Sequence, residues 1–506
     1  MVLSRTSLKD ISNDFIEVPN EKVFQLPEKV LQFGTGVLLR GLCDYYINKA
    51  NNQGVFNGRV VVVKSTTTGG TDEFSAQDSL YTHCIRGIED GNKVEENIIN
   101  ASISRVLSAK DEWNAILACA ENPEMEIVIS NTTEVGIALN RDDKVNAQPP
   151  VSFPGKLLAF LYKRFTFFKG GANKGMVIVP TELLPGNGKK LRSIVLELAR
   201  LNSLDTTFIN WIENCNHFCD SLVDRIVPGK LPQQEKEKVE KEAGYIDDVM
   251  IMSEPYSLWA IETNNKEVAD KLSFSKADKG VVLAEDISKF RELKLRLLNG
   301  THTFTCGLAH LAGFTTVKQM MADEKMAQFV QQLMQDEIAP NIPYKIDSQE
   351  SREFSDKVLD RFRNPYIEHK LLAITVQYSS KMKMRNIPLL LQHYKTSSHA
   401  PRLMAFGFAA HILFMNCREE NGKFFGNYKG NKYMVEDDNA GLYADKWNNY
   451  QGAELVASVL SDERLWETDL TVLNKFKETV AANLQQMQNG EVRQAINEVL
   501  AQKELL

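Results

Sequence analysis

The chain of 506 residues contains no uninterrupted apolar run of the roughly 18 residues that a membrane-spanning helix needs. Its opening stretch, MVLSRTSLKDISNDF, lacks the apolar core of a signal peptide, so the cytoplasm is the expected compartment. Cysteine is sparse. The seven cysteines, Cys43, Cys84, Cys119, Cys215, Cys219, Cys306 and Cys417, are scattered and odd in number, which excludes a disulfide framework. Cys215, His217 and Cys219 stand close together, but a structural zinc needs four ligands at recognisable spacing and no second pair accompanies them. No metal is expected. Positive charge is not in excess either: 59 Lys and Arg stand against 66 Asp and Glu, a net charge of −7. That excludes broad nonspecific binding to nucleic acid, which requires a basic face. Internal repeats are absent.

What is present fits a soluble globular protein. Hydrophobic residues make up 43% and charged residues 25%, and the length suits two or three domains with large cores. Short, β-branched, unalternating runs recur in the first half: KVLQF at 29–33, RVVVVK at 59–64, EIVIS at 126–130, MVIVP at 176–180 and GVVL at 280–283. Segments of helical length separate them. Strands that are apolar throughout, with helices between, predict a parallel sheet covered on both faces. From residue 287 onward helical periodicity dominates. The expected architecture is an α/β, Rossmann-like domain over 1–285 and a mainly α-helical domain over 286–506. The glycine-rich GKFFGNYKGNK at 422–432 reads as a loop.

Gly34-Thr35-Gly36 falls where the first strand meets the first helix. Glycines there let the backbone turn tightly and approach a pyrophosphate. The third glycine of G-x-G-x-x-G is missing, and Leu39 takes its place. The second strand ends in Lys64-Ser65-Thr66 instead of the acid that binds the ribose hydroxyls of NAD; a lysine also suits the extra phosphate of NADP. The residues leave the choice of dinucleotide open.

The segment RELKLRLLNGTH at 291–302 places Lys294, Asn299 and His302 on one side of a helix. At about 100° per residue, His302 lies about 80° and Asn299 about 140° from Lys294. The same residues also read as a helix end, with Lys294 and Arg296 as surface charges and Asn299-Gly300 as the terminus.

Several ordered motifs bear on that choice. Lys294, Asn299 and His302 form a Lys-x4-Asn-x2-His pattern. Gly34-Thr35-Gly36 with Arg40, Gln77-Asp78-Ser79-Leu80-Tyr81-Thr82, Thr133-Glu134 with Gly136, Asn187-Gly188, Val223-Asp224-Arg225-Ile226 and Arg361-Phe362-Arg363-Asn364-Pro365 follow in order along nearly the whole chain. Together they resemble the long-chain mannitol dehydrogenase family. The stretches Ser130-Asn131-Thr132-Thr133-Glu134, LVDRIV at 222–227 and RFRNPYIEH at 361–369 are most similar to its hexuronate reductases. The missing third glycine and the absent acid after the second strand depart from the cofactor pattern.

The resemblance implies metal-free hydride transfer between NAD and a sugar-derived ketone, with a hexuronate or its aldonate as the small-molecule partner. It implies that Lys294 is the acid/base, that Asn187 and Asn299 polarise the carbonyl, and that His302 holds a substrate hydroxyl. A free lysine, with a pKa near about 10.4, is a poor base near neutrality, so desolvation and neighbouring cations are expected to tune it. Gly34, Thr35, Gly36, Lys64, Asn131, Thr132 and Thr133 are the expected cofactor contacts. Asp224 is expected to accept from hydroxyls. A uronate carries a carboxylate, which arginine forks bind well; Arg361, Arg363, Lys383 and Arg385 are the candidates, with His369 beside them.

Overall fold

A computed structural model describes residues 1–12, 14–65, 71–132 and 136–502. The chain forms two compact units, one of residues 1–86 with 93–287, the other of residues 87–92 with 288–506.

The first unit is built on a six-stranded sheet. Its strands are β1 (Glu28–Phe33), β2 (Arg59–Lys64), β3 (Ile103–Ser108), β4 (Ile127–Ser130), β5 (Val177–Pro180) and β6 (His217–Phe218). They lie in the order β3-β2-β1-β4-β5-β6, and every pairing is parallel. The chain works outward from β1 to β3, then returns to the other side of β1. That reversal leaves a crevice beyond the carboxyl ends of β1 and β4, where open α/β sheets bind their ligands. The unalternating strands divide their side chains between two cores. Leu31, Phe33, Val61, Val63, Val128 and Ile178 pack on one face against Trp113, Phe153, Leu157 and Leu191. Val30, Val60, Val62, Ile129 and Val179 pack on the other with Leu39, Tyr46 and Ile47. Each fully buried aliphatic side chain contributes roughly 1.5–3 kcal/mol, so the sheet is stabilised from both sides.

The Rossmann-like reading therefore holds, with corrections in detail. Val281–Ala284 is a strand, but it lies outside this sheet: it pairs in parallel with Leu258–Glu262, which pairs antiparallel with Ser221–Asp224. β3 escaped the sequence reading because Ser104 and Arg105 interrupt its apolar run. Both reach Glu28 at the start of β1: Arg105 Nη2 donates to Glu28 Oε2 at 2.9 Å and Ser104 Oγ to Glu28 Oε1 at 2.8 Å.

The second unit is mainly helical. Thr301–Leu311, Ser348–Arg363, Arg402–Phe414 and Phe476–Asn489 are its longest well-buried helices. Every residue of Leu403 to Phe414 is buried, so this helix shows no polar face and sits in the middle of the unit. The loop expected at 422–432 is instead part of an antiparallel sheet of Cys417–Glu420, Lys423–Tyr428 and Asn431–Val435. Its glycines serve turns: Asn421-Gly422 (φ 53° and 76°) and Lys429-Gly430 (φ 50° and 87°) take the left-handed pairs that two-residue hairpins require. Gly426, inside the middle strand, leaves room for the Tyr433 ring, which a Cβ would meet at 2.4 Å.

His411 lies fully buried in the central helix, with Nε2 2.9 Å from the Tyr443 hydroxyl. Burial pushes its pKa down to about 3. An unfolded chain protonates this ring near pH 6.5. Between these values the unfolded state holds the extra proton, so stability is present above about pH 6.5 and is lost as pH falls through the window. The slope is about 1.4 kcal/mol per pH unit for this residue. Urea unfolding at pH 7 and pH 5 should show a smaller loss for His411→Phe than for wild type; equal losses would remove His411 from the acid sensitivity.

Candidate active site

In the first unit the crevice is lined chiefly by backbone. Gly34 ends the turn from β1 with φ +131°, and its N–H donates to Val63 O at 3.0 Å. A Cβ there would stand 3.0 Å from Asn131 O and from Leu39 Cδ1, so only glycine lets the two loops approach. Gly36 is exposed, and a Cβ on it would meet nothing within 4 Å. Space is thus left open above the turn, and Thr35 between the two is half-buried. Leu39, in place of a third glycine, is buried beneath Gly34. The close approach has moved to Gly41, whose Cβ would lie 2.9 Å from Val227. An open turn with a glycine on each side of Thr35, at the reversal point, fits a dinucleotide pyrophosphate.

The loop after β4 is fastened from below by Glu182, which sequence reasoning did not single out. Its buried carboxylate accepts from Thr132 N at 2.8 Å, Thr132 Oγ1 at 2.9 Å and Ser130 Oγ at 3.1 Å. Asn131 Nδ2 donates to Thr181 Oγ1 at 2.9 Å. The only sequence signal was the repeated Thr-Glu after two neighbouring strands. Thr133 lies outside the described residues. Lys64 ends β2 as a buried residue.

Asn187, expected to polarise a carbonyl, has another task here. It opens the helix Asn187–Leu201 and is fully buried. Its Nδ2 donates to Pro180 O, Glu182 O and Ser221 O, each at 3.0 Å, and its Oδ1 accepts from Ser221 N and Gly188 N at 2.9 Å. Both amide hydrogens are committed to main-chain carbonyls. The residue splices the loop after β5 to the strand Ser221–Asp224. Gly188 completes the splice, since a Cβ would sit 2.5 Å from the Cys219 carbonyl carbon. Asp224, at the end of that strand, is buried. Arg225 turns away from it: Nε donates to Glu254 O at 2.9 Å, Nη1 to Gly41 O at 2.7 Å, and the guanidinium covers the Tyr45 ring at 4.5 Å.

In the second unit Lys294 begins a π-helical segment, Lys294–Gly300, between the α-helices Ser288–Leu293 and Thr301–Leu311. A π-turn bonds residue i to i+5 and is common at functional sites. The count of 100° per residue therefore fails across this segment. The wider turn brings Asn299 over Lys294, and both are half-buried while Arg296, Leu297, Leu298 and Gly300 are buried. Arg296 is no surface charge. Its Nε donates to Glu292 Oε2 at 2.9 Å and its Nη1 to the Met384 and Arg385 carbonyls at 2.8 and 2.6 Å. These are open carbonyls at the end of the helix Tyr378–Arg385, which need outside donors. Asn386 Nδ2 donates to Gly300 O at 3.3 Å, and a Cβ on Gly300 would meet Asn386 Oδ1 at 2.9 Å.

One turn on, His302 is buried with its ring stacked on Phe362 at 4.0 Å and edge-on to His369 at 5.2 Å. Its Nδ1 has no partner among the described residues. Burial, and after it the charges of His369, Arg361 and Arg385, hold its pKa well below the ordinary imidazole value. His369 is lowered too, by burial and then by Lys381. Arg361, Arg385 and His369 thus gather around His302, with Lys381 one turn before Arg385 on the same helix; the i, i+4 spacing of Lys381 and Arg385 was the overlooked signal. Two sequence candidates point elsewhere. Arg363 is exposed and 3.8 Å from Asp360, and Lys383 Nζ donates to Glu467 Oε1 at 2.9 Å.

Comparison with known proteins follows the division of the chain. Residues 28–274 match the mannitol dehydrogenase Rossmann domain and residues 286–488 the mannitol dehydrogenase C-terminal domain. Altronate oxidoreductase of Halalkalibacterium halodurans is 37% identical over 490 residues, covering 95% of each chain. Altronate oxidoreductase of Bacillus subtilis is 36% identical over 482 residues, 94% of this chain and 96% of its own. Among solved structures, the mannitol 2-dehydrogenase of Pseudomonas fluorescens, in ternary complex with NAD and D-mannitol, superposes with a TM-score of 0.68 at 21% identity over 99% of this chain and 100% of that one. A substrate-free D-sorbitol dehydrogenase gives 0.77 at 21% identity over 98% and 100%. At that identity the likeness is one of fold.

The splice at Asn187 makes a measurable claim. Asn187→Ala removes five hydrogen bonds inside the first unit and takes their acceptor from the Ser221 and Gly188 N–H groups, although Pro180 O keeps Ser221 Oγ and Glu182 O keeps Leu184 N as donors. Leaving buried polar groups unpaired costs about 1–3 kcal/mol each, before relaxation and water entry. Urea unfolding should show at least about 2 kcal/mol lost. A variant as stable as wild type would free the side chain for a direct catalytic role.

Proposed function

We propose that this chain, which belongs to the mannitol dehydrogenase family, interconverts D-altronate and D-tagaturonate with NAD as the hydride carrier. The observation that carries the reading is the π-turn that sets Lys294 and Asn299 on one face, next to a buried, neutral His302, in a chain that resembles altronate oxidoreductases along nearly its whole length. Tagaturonate is a ketone with a carboxylate at the far end of a hydroxylated chain. The arrangement answers both features.

The nicotinamide of the bound dinucleotide supplies or accepts the hydride at the ketone carbon. The chain's residues do the rest. Gly34, Thr35 and Gly36 offer the backbone turn for the pyrophosphate, and Asn131 and Thr132, fastened by Thr181 and Glu182, border it. Lys294 gives a proton to the carbonyl oxygen in reduction and takes the hydroxyl proton in oxidation. Asn299 donates its amide N–H to the same oxygen as negative charge develops there, the logic of an oxyanion hole. His302, kept neutral by burial, offers Nδ1 to a neighbouring hydroxyl without adding charge beside the reacting oxygen. Asn187 acts at one remove, by positioning the loop after β5. Asp224 is assigned to the substrate or ribose hydroxyls. The preference for NAD draws on Lys64, which is buried along the end of β2 instead of extending into solvent to meet a 2′-phosphate.

Reduction of a panel of keto-uronates and ketoses with NADH and NADPH tests the reading. Tagaturonate with NADH should give the highest kcat/KM. Faster reduction of fructuronate would move the chain to mannonate chemistry, and an NADPH preference would make Lys64 a phosphate contact. Lys294→Ala should leave NADH binding intact by fluorescence titration and lower turnover by about 10²–10⁴-fold; wild-type turnover would refute the assignment.

A further inference from the structure

The geometry points to Arg385 as the residue that binds the substrate's carboxylate and so separates uronates from neutral ketoses. This inference rests on the proposed function and deepens it. Four basic residues of the second unit suit a carboxylate by sequence, and their surroundings differ. Lys383 already holds Glu467 at 2.9 Å, and Arg363 is exposed beside Asp360 at 3.8 Å. Arg361 is buried at the end of the helix Ser348–Arg363. The Arg385 side chain meets neutral groups: Nη1 donates to Thr303 Oγ1 at 3.1 Å and reaches Asn299 O at 3.5 Å. Its Nε is buried without a partner among the described residues.

Those contacts place the guanidinium on the catalytic helix. Asn299 and Thr303 are four residues apart, one turn, and Thr303 Oγ1 itself donates to Asn299 O at 2.8 Å. The row runs from Lys294 through Asn299 to Thr303, so Arg385 stands at the end of the row away from the proton-transfer group. A hexuronate has the same polarity: ketone near one end, carboxylate at the other, three hydroxylated carbons between. Binding costs are lowest when the fork is held before the ligand arrives, and here the backbone of Arg385 is fixed through its carbonyl by Arg296 at 2.6 Å. A half-buried guanidinium with no carboxylate partner among the described residues is also held at an electrostatic cost, since desolvation lowers its pKa. A substrate carboxylate cancels that cost through a bidentate, charge-assisted contact to Nε and the terminal nitrogens.

The test compares kcat/KM for tagaturonate with that for tagatose, the neutral ketose of the same chain, in wild type and in Arg385→Gln, Arg385→Lys, Lys383→Gln and Arg363→Gln. The ratio should fall by about 10- to 100-fold in Arg385→Gln, mainly through KM, the size expected for one charged hydrogen-bonded pair. Arg385→Lys should restore part of it, because charge remains while the fork is lost. The other two variants should keep the ratio within about twofold of wild type, since Arg363 is exposed and Lys383 is already engaged by Glu467. Thermal melting checks that each variant is folded; if Arg385→Gln is not, Arg385→Lys and competitive inhibition by altronate against its alditol give the same reading. An unchanged ratio in Arg385→Gln, or an equal loss on both substrates, would overturn the proposal. The proposed function fails separately: if wild type prefers fructuronate, the uronate-to-ketose ratio still reports on Arg385.

Discussion

A lysine and an asparagine five residues apart meet on one face of a helix only where the helix takes i→i+5 turns, and much of the second unit is arranged to hold that turn open. Gly300 has no Cβ because Asn386 occupies the space; Arg296 spans from Glu292 to the carbonyls of Met384 and Arg385. The same clamp positions the helix Tyr378–Arg385, which carries Lys381 and Arg385. The proposed proton transfer and the proposed anion recognition therefore both draw on one local distortion. Relaxing it to an α-helix would swing Asn299 away from Lys294 and shift Arg385 together.

Electrostatics supports the same economy. Around His302 the neighbouring charged groups are all cationic or potentially so: His369, Arg361 and Arg385. In water such groups would be screened; in a buried setting each disfavours the next protonation. His302 and His369 yield because imidazole loses its proton most readily, and the guanidiniums stay charged. The outcome is a site with fixed positive charge and neutral histidines that can hydrogen-bond hydroxyls. Under the proposed function an anionic sugar acid meets attraction there, which a neutral polyol cannot draw on.

How far the sequence was legible follows from the range of the interactions involved. β1, β2, β4 and β5 were readable because central parallel strands are apolar on both faces, a signal carried entirely by local composition. The edge strand β3 and the two-residue β6 carry too little of it. The sheet at 417–435 was misread because glycines at Gly422 and Gly430 signal turns as well as loops, and only the strand pairing distinguishes the two. At the site, Lys294, Asn299 and His302 were visible as a spacing, but their mutual placement was not, since the π-turn is enforced by Asn386 and Arg296 across more than 80 residues of sequence. Glu182 and the task of Asn187 were invisible for the same reason. The partners of Asn187 are main-chain groups, which leave no trace in residue identity, and those of Glu182 lie some 50 residues away in sequence.

The two units solve recognition in opposite ways, and this has consequences for how the protein tolerates change. In the first, the surface offered to the dinucleotide is backbone, and side chains such as Glu182 and Asn187 serve beneath it to hold the loops. In the second, the groups proposed to meet the substrate are side chains; the Asn299 carbonyl accepts from Arg385, and the Met384 and Arg385 carbonyls accept from Arg296. Dinucleotide chemistry is shared by many reactions, so a backbone cradle that reads shape suffices, and a substitution there acts first on stability. Sugar acids differ by single hydroxyls and by one charge, which only directed polar side chains distinguish. Under the proposed function, substitutions in the helical unit outside Lys294 and Asn299, at residues such as Arg385, therefore act first on specificity.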